Sequence, residues 1–262
     1  MIFKLGISTC PNDTYIFGGI LTNKIETDFK FQTVLDDVEV LNGFAIQGKL
    51  DIIKVSYGVV DKVLDKYLIL NAGGALGFGC GPLVVSKNYN NMKNMKKIGI
   101  PGKNTSAFKI FKYFFGEDFE FVGLRFDKIM PMISEGKLDG GIVIHEGRFV
   151  YKNLNLNLNL IADLGELWEN KFNAPIPLGA ILIKKDLAEY AKQINNLIVK
   201  SIDYAANNYE ELYPFIKKYA QEIDDKVIKQ HIELFVNKYS YDLTEAKPSL
   251  IRFLKCTEKS FI

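Results

Sequence analysis

Strand-like and helical runs alternate from the start of the chain to about residue 179, and this alternation constrains the fold more than any other feature. Short runs rich in β-branched and aromatic residues, such as residues 3–9 and 51–56, precede longer runs with apolar residues at helical spacing, such as residues 104–115. Alternation of this kind is typical of a parallel sheet whose strands are joined by crossover helices. The sequence therefore predicts an α/β fold.

A glycine-rich segment, residues 73–81, lies between two such alternating blocks, and the chain after residue 179 reads as helical and lacks glycine. We predict that residues 1–87 plus 180–262 form lobe 1, to which the C-terminal helices return. Residues 88–179 form lobe 2 in this interpretation. A chain that crosses twice between lobes leaves a substrate cleft between them, which is where ligands of such proteins bind.

Composition excludes several function classes. The chain has 33 basic and 31 acidic residues and a net charge of only +2, so it lacks the charge excess of a nucleic-acid binder or a membrane-surface protein. Its three cysteines, at positions 10, 80 and 256, form no disulfide framework. Neither an export signal nor a membrane-spanning apolar run is evident. We expect a cytoplasmic protein whose partner is a small-molecule substrate.

The motifs of the common cofactors are missing. Counted from Gly77 and Gly79, the last position of a dinucleotide-binding G-x-G-x-x-G is Pro82, and Gly102-Lys103 lacks the upstream glycine of a phosphate loop. The two histidines and three cysteines have no zinc spacing, and no G-x-S-x-G segment occurs. We therefore expect no metal and no cofactor.

Four strand-to-helix junctions carry small polar residues: residues 8–14 (STCPNDT), 54–57 (KVSY), 101–107 (PGKNTSA) and 144–148 (IHEGR). Ligands of parallel α/β sheets bind beyond the carboxyl ends of the strands, where helix N-termini offer N–H groups. The alternative for any single junction is helix capping. Together with Lys54, Lys103 and Arg148, the four junctions predict a pocket for a small anionic, hydroxyl-rich molecule.

The histidines and Cys10 are the candidate bases and nucleophiles of the sequence. His145 ends a short apolar strand, and an imidazole, with its ordinary pKa of about 6.5, can act as a base near neutral pH; the alternative is a structural histidine. His231 lies in an amphipathic helical run and is expected to be a surface or packing residue. Cys10 is a weaker candidate nucleophile, because no histidine is near it in sequence.

The segment at residues 10–17 (CPNDTYIF) resembles the 1,4-dihydroxy-6-naphthoate synthase family, which acts in the futalosine route to menaquinone. Further matches follow in order along nearly the whole chain: residues 35–39 (LDDVE), 54–57, 73–77 (GGALG), 81–85 (GPLVV), 101–107, 144–149 (IHEGRF) and 177–181 (PLGAI). The resemblance implies a two-lobed periplasmic-binding-protein-like fold of type II with its substrate cleft between the lobes.

The resemblance also implies an activity. The family is a carbon–carbon lyase that converts cyclic dehypoxanthine futalosine to 1,4-dihydroxy-6-naphthoate and releases a three-carbon sugar fragment, dihydroxyacetone, without a cofactor. Two alternatives share the fold: chorismate dehydratase of the same pathway, and a non-catalytic solute-binding protein for small anions. The first is disfavoured by the motifs at residues 10–17 and 144–148, and the second would normally carry an export signal.

The resemblance assigns site residues by position. The family's catalytic base falls on His145. Its substrate contacts fall on the following residues: Lys54, Val55, Ser56, Ser106 and Ala107. The polar junctions add further candidate cleft residues: Asn12, Asp13, Thr105 and Arg148.

Overall fold

The computed structural model describes residues 1–152, 155–220 and 224–262. The chain divides into two compact units, Met1–Gly77 with Pro177–Ile262, and Phe78–Ile176. The sequence predicted the first boundary after residue 87. The structure places it after Gly77, because the strand Leu83–Ser86 pairs only with strands of the second unit among the described residues. The chain returns to the first unit after Ile176, where the sequence predicted the crossing after residue 179.

The first unit begins with the alternation that the sequence predicts. Its elements up to Gly77 are β1 (Ile2–Ser8), α1 (Pro11–Leu21), β2 (Lys30–Asp36), α2 (Val38–Ile46), β3 (Ile52–Ser56), α3 (Tyr57–Val60), β4 (Tyr67–Ile69) and β5 (Ala75–Gly77). The sequence also predicts a helix over residues 59–67, but α3 is a single turn that ends at Val60, so this prediction is wrong. Tyr67 instead begins a strand, because its ring is fully buried and its hydroxyl donates to the Leu50 carbonyl at 2.7 Å.

The second unit repeats this alternation on a smaller scale. Its elements are β6 (Leu83–Ser86), β7 (Lys97–Ile100), α4 (Ser106–Phe115), β8 (Glu120–Gly123), α5 (Phe126–Ser134), β9 (Gly140–Val143), α6 (Gly147–Val150), β10 (Asn159–Asp163) and α7 (Leu164–Phe172), with a 3-10 turn at Met92–Asn94. Its sheet has the order β10-β6-β9-β7-β8. β7 is parallel to β8 and β9, whereas β6 is antiparallel to β9 and β10.

A long strand and a run of helices complete the first unit. They are β11 (Ile176–Lys184), α8 (Ala191–Asn207), α9 (Tyr209–Tyr219), α10 (Asp225–Phe235), α11 (Lys238–Tyr241) and α12 (Lys247–Leu254), with 3-10 turns at Lys185–Tyr190, Thr244–Ala246 and Glu258–Ser260. The sheet has the order β2-β1-β3-β11-β4, and β5 also pairs with β11. β11 is antiparallel to β3 and β4, so the sheet is mixed and not wholly parallel.

Two apolar layers cover the two faces of the first unit's sheet. One layer packs Ile52 of β3 against α1, α8, α9 and α10. The other packs Ile53 and Val55 against α2, α11 and α12. Because side chains alternate along a strand, Lys54 shares the face of Ile52 and is directed toward α1. No helix in the described ranges is long and apolar enough to cross a bilayer.

A close backbone contact holds the start of the second unit. A methyl group at Gly81 would lie 2.2 Å from the Gly165 nitrogen and 2.3 Å from its Cα, so only glycine fits at this position. The adjacent Leu164 N–H donates to the Pro82 carbonyl at 2.9 Å. The segment before β6 is therefore docked on the first turn of α7.

We predict that Gly81→Ala lowers the free energy of unfolding by about 3 kcal/mol or more, because the added methyl must displace backbone and not a mobile side chain. Gly123→Ala is the matched control, since a methyl there meets no described atom within 4 Å and should change stability by less than about 0.5 kcal/mol. Urea denaturation followed by circular dichroism measures both. Equal midpoints for the two variants would contradict the prediction.

Candidate functional site

Each sheet brings two of the predicted polar junctions to one edge. In the first unit β1 and β3 are parallel neighbours, so the junctions that follow Ser8 and Ser56 lie at the same edge. In the second unit β7 and β9 are parallel neighbours, so residues 101–105 and 144–146 share an edge. The carboxyl end of a parallel strand is where such folds bind ligands.

A buried ion pair lies at the edge of the first unit. The Lys54 ammonium donates to Asp13 Oδ1 at 2.7 Å and to the Gly73 carbonyl at 3.3 Å. The two charged side chains are only 5% and 2% exposed. Gly179 on the neighbouring strand leaves room for the lysine, because a methyl there would lie 2.6 Å from Lys54 Cε. Glycine at this position therefore allows the lysine to cross the strand and reach α1.

The Asp13 carboxylate is surrounded by donors. Ser8 donates to Oδ2 from its hydroxyl at 2.6 Å and from its backbone N–H at 3.3 Å, and the Asn12 side-chain amide donates to Oδ1 at 2.9 Å. These bonds and the Lys54 ammonium compensate a charge that would otherwise be costly to bury. Asn12 and Asp13, predicted as additional cleft residues, thus act within the first unit to hold Lys54.

A contact from a distant helix extends this cluster. His231 on α10 is 1% exposed, and its Nε2 lies 3.0 Å from Asn12 Oδ1. The sequence predicted a surface or packing residue, and burial is what the structure shows. The polar contact with Asn12 was not predicted, because 219 positions separate the two residues and no local pattern links them.

The remaining residues at this edge are Val55 and Ser56. The Val55 side chain is fully buried in the apolar layer with α2, so it presents only its backbone to any ligand. Ser56 ends β3, and its backbone N–H donates to Asn42 Oδ1 at 2.9 Å, which ties the end of the strand to α2. Burial raises the pKa of the following Tyr57 well above its ordinary value, so that phenol stays protonated.

The edge of the second unit contains the start of α4. Thr105 caps this helix: its hydroxyl accepts from the Phe108 N–H at 3.2 Å and donates to the Gly102 carbonyl at 2.9 Å. Capping is the alternative that the sequence left open for this junction. Ser106 and Ala107 form the first turn of the helix and are almost fully buried. The first turn of a helix offers backbone N–H groups and a partial positive charge, which suit an anion.

His145 stands between β9 and α6 in an unusual backbone conformation. Its φ is +54°, in the left-handed region that residues other than glycine seldom occupy. Its ring meets Phe126 edge-on, with the ring centroids 5.0 Å apart, and the residue is partly exposed. Strained backbone of this kind persists only where the surroundings enforce it, and it is common at active sites.

Arg148 anchors the segment that follows His145. Its guanidinium donates to the Gly81 carbonyl at 2.5 Å and to Asp163 Oδ2 at 2.9 Å. Asp163 also caps α7, because its Oδ1 accepts from the backbone N–H groups of Gly165 and Glu166. Arg148 was predicted as a cleft residue, and the structure shows it clamping α6 to the docked segment before β6.

The described ranges have no cluster of metal-ligating side chains, and their cysteines are buried or partly buried. No three His, Cys, Asp or Glu side chains there are placed to hold a metal ion. Cys10 is buried at the start of α1, and burial raises the pKa of the Cys80 thiol to about 12. A thiol with so high a pKa is a poor nucleophile near neutral pH.

Comparison with known proteins gives consistent matches. The family model described as "Menaquinone biosynthesis" matches residues 3–259. The chain is 37% identical over 243 residues to a 1,4-dihydroxy-6-naphthoate synthase of Thermus thermophilus, covering 92% of this chain and 88% of that one. A crystal structure of an Archaeoglobus fulgidus protein superposes with a TM-score of 0.89 and 29% identity, covering 97% and 95% of the two chains.

A more distant match concerns the fold alone. The periplasmic aliphatic sulphonate binding protein of Escherichia coli superposes with a TM-score of 0.65 at 10% identity, covering 97% of this chain and 85% of that chain. The predicted α/β fold of the type II periplasmic-binding-protein class is thereby confirmed.

We predict that Lys54→Met lowers the free energy of unfolding by about 3–5 kcal/mol, because it leaves the Asp13 carboxylate buried without its counter-charge. The double variant Asp13→Asn with Lys54→Met should recover part of that loss. Lys184→Met is the control: its ion pair with Asp51 lies on the same sheet at 3.0 Å, but the side chains are 27% and 20% exposed. It should cost about 1 kcal/mol or less. Equal unfolding midpoints for Lys54→Met and Lys184→Met would contradict the assignment.

Proposed function

The chain belongs to the menaquinone biosynthesis family, and we propose that it is a 1,4-dihydroxy-6-naphthoate synthase. In this proposal it converts cyclic dehypoxanthine futalosine to 1,4-dihydroxy-6-naphthoate and dihydroxyacetone by cleaving a carbon–carbon bond. The proposal includes a cytoplasmic location, which a sequence without a disulfide framework favours.

His145 is the observation that carries the proposal. It is a partly exposed imidazole at the carboxyl edge of a parallel strand pair, held at φ +54° between β9 and α6. The Arg148 clamp fixes the segment behind it. The imidazole itself lies against the Phe126 ring, and a base whose ring is packed in this way loses little conformational freedom when it meets a substrate proton.

The chemistry needs a base but no redox partner. His145 would take the proton from a substrate hydroxyl, and that oxygen forms a carbonyl as the adjacent carbon–carbon bond breaks. The electron pair of the broken bond stays with the ring, which becomes aromatic in the product. Aromatisation supplies the driving force, and hydrogen-bond donors around the charged groups of the substrate lower the barrier further.

Two groups are suited to bind the substrate. The substrate carboxylate fits the N-terminus of α4, where Thr105 already fixes the first turn and Ser106 adds a hydroxyl. The Lys54 ammonium has three donors, of which Asp13 and Gly73 take two among the described residues. Its positive charge at the edge of the first unit suits a second anionic or hydroxyl group of the substrate.

Direct assay separates this proposal from the alternatives. The purified protein is incubated with cyclic dehypoxanthine futalosine, and 1,4-dihydroxy-6-naphthoate is measured by chromatography with mass detection. A parallel incubation with chorismate tests the dehydratase alternative. Binding of the futalosine derivative without any product would instead favour a solute-binding protein, and would overturn the proposal.

We predict that His145→Ala lowers kcat by roughly 10²–10⁴-fold, because the general base is lost. His145→Asn should lose a similar factor, since it keeps some hydrogen bonding but cannot take up the proton. Substrate affinity, measured by isothermal titration calorimetry, should change little because the contacts assigned to Lys54 and Ser106 remain. Near-native turnover in both folded variants would mean that another group is the base.

We predict that Ser106→Ala raises KM more than it lowers kcat, because it removes one hydrogen bond to a charged group. Such a loss costs about 1.5–3 kcal/mol, or roughly ten- to hundredfold in KM. Ser134→Ala is the matched control, since that serine ends α5 in the same unit, at a helix C-terminus. An unchanged KM in folded Ser106→Ala would remove this serine from the site.

A further inference from the structure

We infer that His231 is a positioning residue for Lys54, acting through a buried hydrogen-bond chain that runs from His231 to Asn12, Asp13 and Lys54. The inference deepens the proposed function, because it rests on Lys54 as a substrate contact. The chain joins α10 to the edge of the first unit's sheet. Nothing in the sequence pattern of α10 distinguishes His231 from a packing residue.

Each link of the chain is short and buried. His231 Nε2 lies 3.0 Å from Asn12 Oδ1, Asn12 Nδ2 lies 2.9 Å from Asp13 Oδ1, and Lys54 Nζ lies 2.7 Å from that same oxygen. All four residues are buried: Asn12 is 6% exposed and Lys54 is 4% exposed, and the other two are 1% exposed. In such dry surroundings a polar contact is strong, and its loss leaves costly unsatisfied groups.

The chemistry of the chain fixes the direction of every hydrogen bond. A carboxylate that receives Lys54 and Ser8 acts as an acceptor, so Asn12 must face it with its NH₂ group. The amide oxygen of Asn12 then faces His231. His231 must therefore donate from Nε2, and this identifies the ring nitrogen that carries the proton.

His231 and Asp13 together hold Asn12 in one orientation. A flipped amide would set its oxygen against the Asp13 carboxylate, which is repulsive, and would lose the hydrogen bond that the His231 N–H donates to the amide oxygen. With Asn12 held, Asp13 Oδ1 stays between its two donors, the Asn12 amide and the Lys54 ammonium. The ammonium therefore keeps one orientation. His231 thus acts on substrate affinity through the orientation of Lys54.

The first test reads the hydrogen bond itself and needs no substrate. The protein has two histidines, so labelling with ¹⁵N-histidine gives two sets of ring signals. The His145→Asn variant retains only the signals of His231 and so identifies them. We expect the proton on Nε2 of His231. A neutral His231 ring protonated on Nδ1 alone would overturn the inference.

The second test separates positioning from packing. We expect His231→Phe, which keeps a buried ring beside Phe235, to raise KM roughly three- to tenfold, the size expected for one neutral hydrogen bond. His231→Gln can donate from its side-chain amide to the same oxygen and should keep KM within about twofold of the native value. Ile228→Val, one turn earlier on the buried face of α10, is the control for a mild loss of packing and should leave KM unchanged.

A double variant tests the route through Asn12. If His231 acts only on Asn12, the variant with both Asn12→Ala and His231→Phe should have the KM of Asn12→Ala alone. Additive effects, or equal KM values for His231→Phe, His231→Gln and Ile228→Val, would overturn the positioning role. Absence of turnover in the native protein would overturn the proposed function instead, and the ¹⁵N measurement would still decide the hydrogen bond.

Discussion

The buried pair of Lys54 and Asp13 is the interaction on which the first unit's polar edge depends. A lysine in the middle of a buried strand is tolerated because α1 presents a carboxylate to it at 2.7 Å. The pair in turn requires Gly179 beside the lysine and draws Ser8, Asn12 and Gly73 around it. Packing, backbone conformation and charge at this edge therefore follow from one electrostatic requirement.

In the second unit the main constraint is at His145, whose backbone lies in the left-handed region. His145 at φ +54° is followed directly by the short helix α6, and Arg148 on that helix binds both the Gly81 carbonyl and Asp163. Asp163 caps α7, and the first turn of α7 receives the close approach of Gly81. The segment that follows His145 is thus fixed by contacts that lie away from the imidazole itself.

Sequence reasoning located the polar junctions but did not predict the protein contacts that their side chains make. Asn12, Asp13, Thr105 and Arg148 all lie at the predicted junctions, because helix starts and strand ends have strong local signatures. Their side chains nevertheless bind other protein groups: a lysine, a helix N-terminus and a carboxylate. A local pattern identifies a polar residue at a junction, but it does not distinguish a ligand contact from a structural one.

The sequence by itself determined the α/β alternation, the four junctions, the family and the candidate base, since these depend on periodicity and on short motifs. Only the tertiary structure decided that β11 returns antiparallel to β3, that the first boundary falls at Gly77, and that His231 reaches Asn12. Strand pairing and buried polar contacts join residues that are far apart in the chain. Their partners are selected by burial and charge compensation in the folded state, and no local spacing records them.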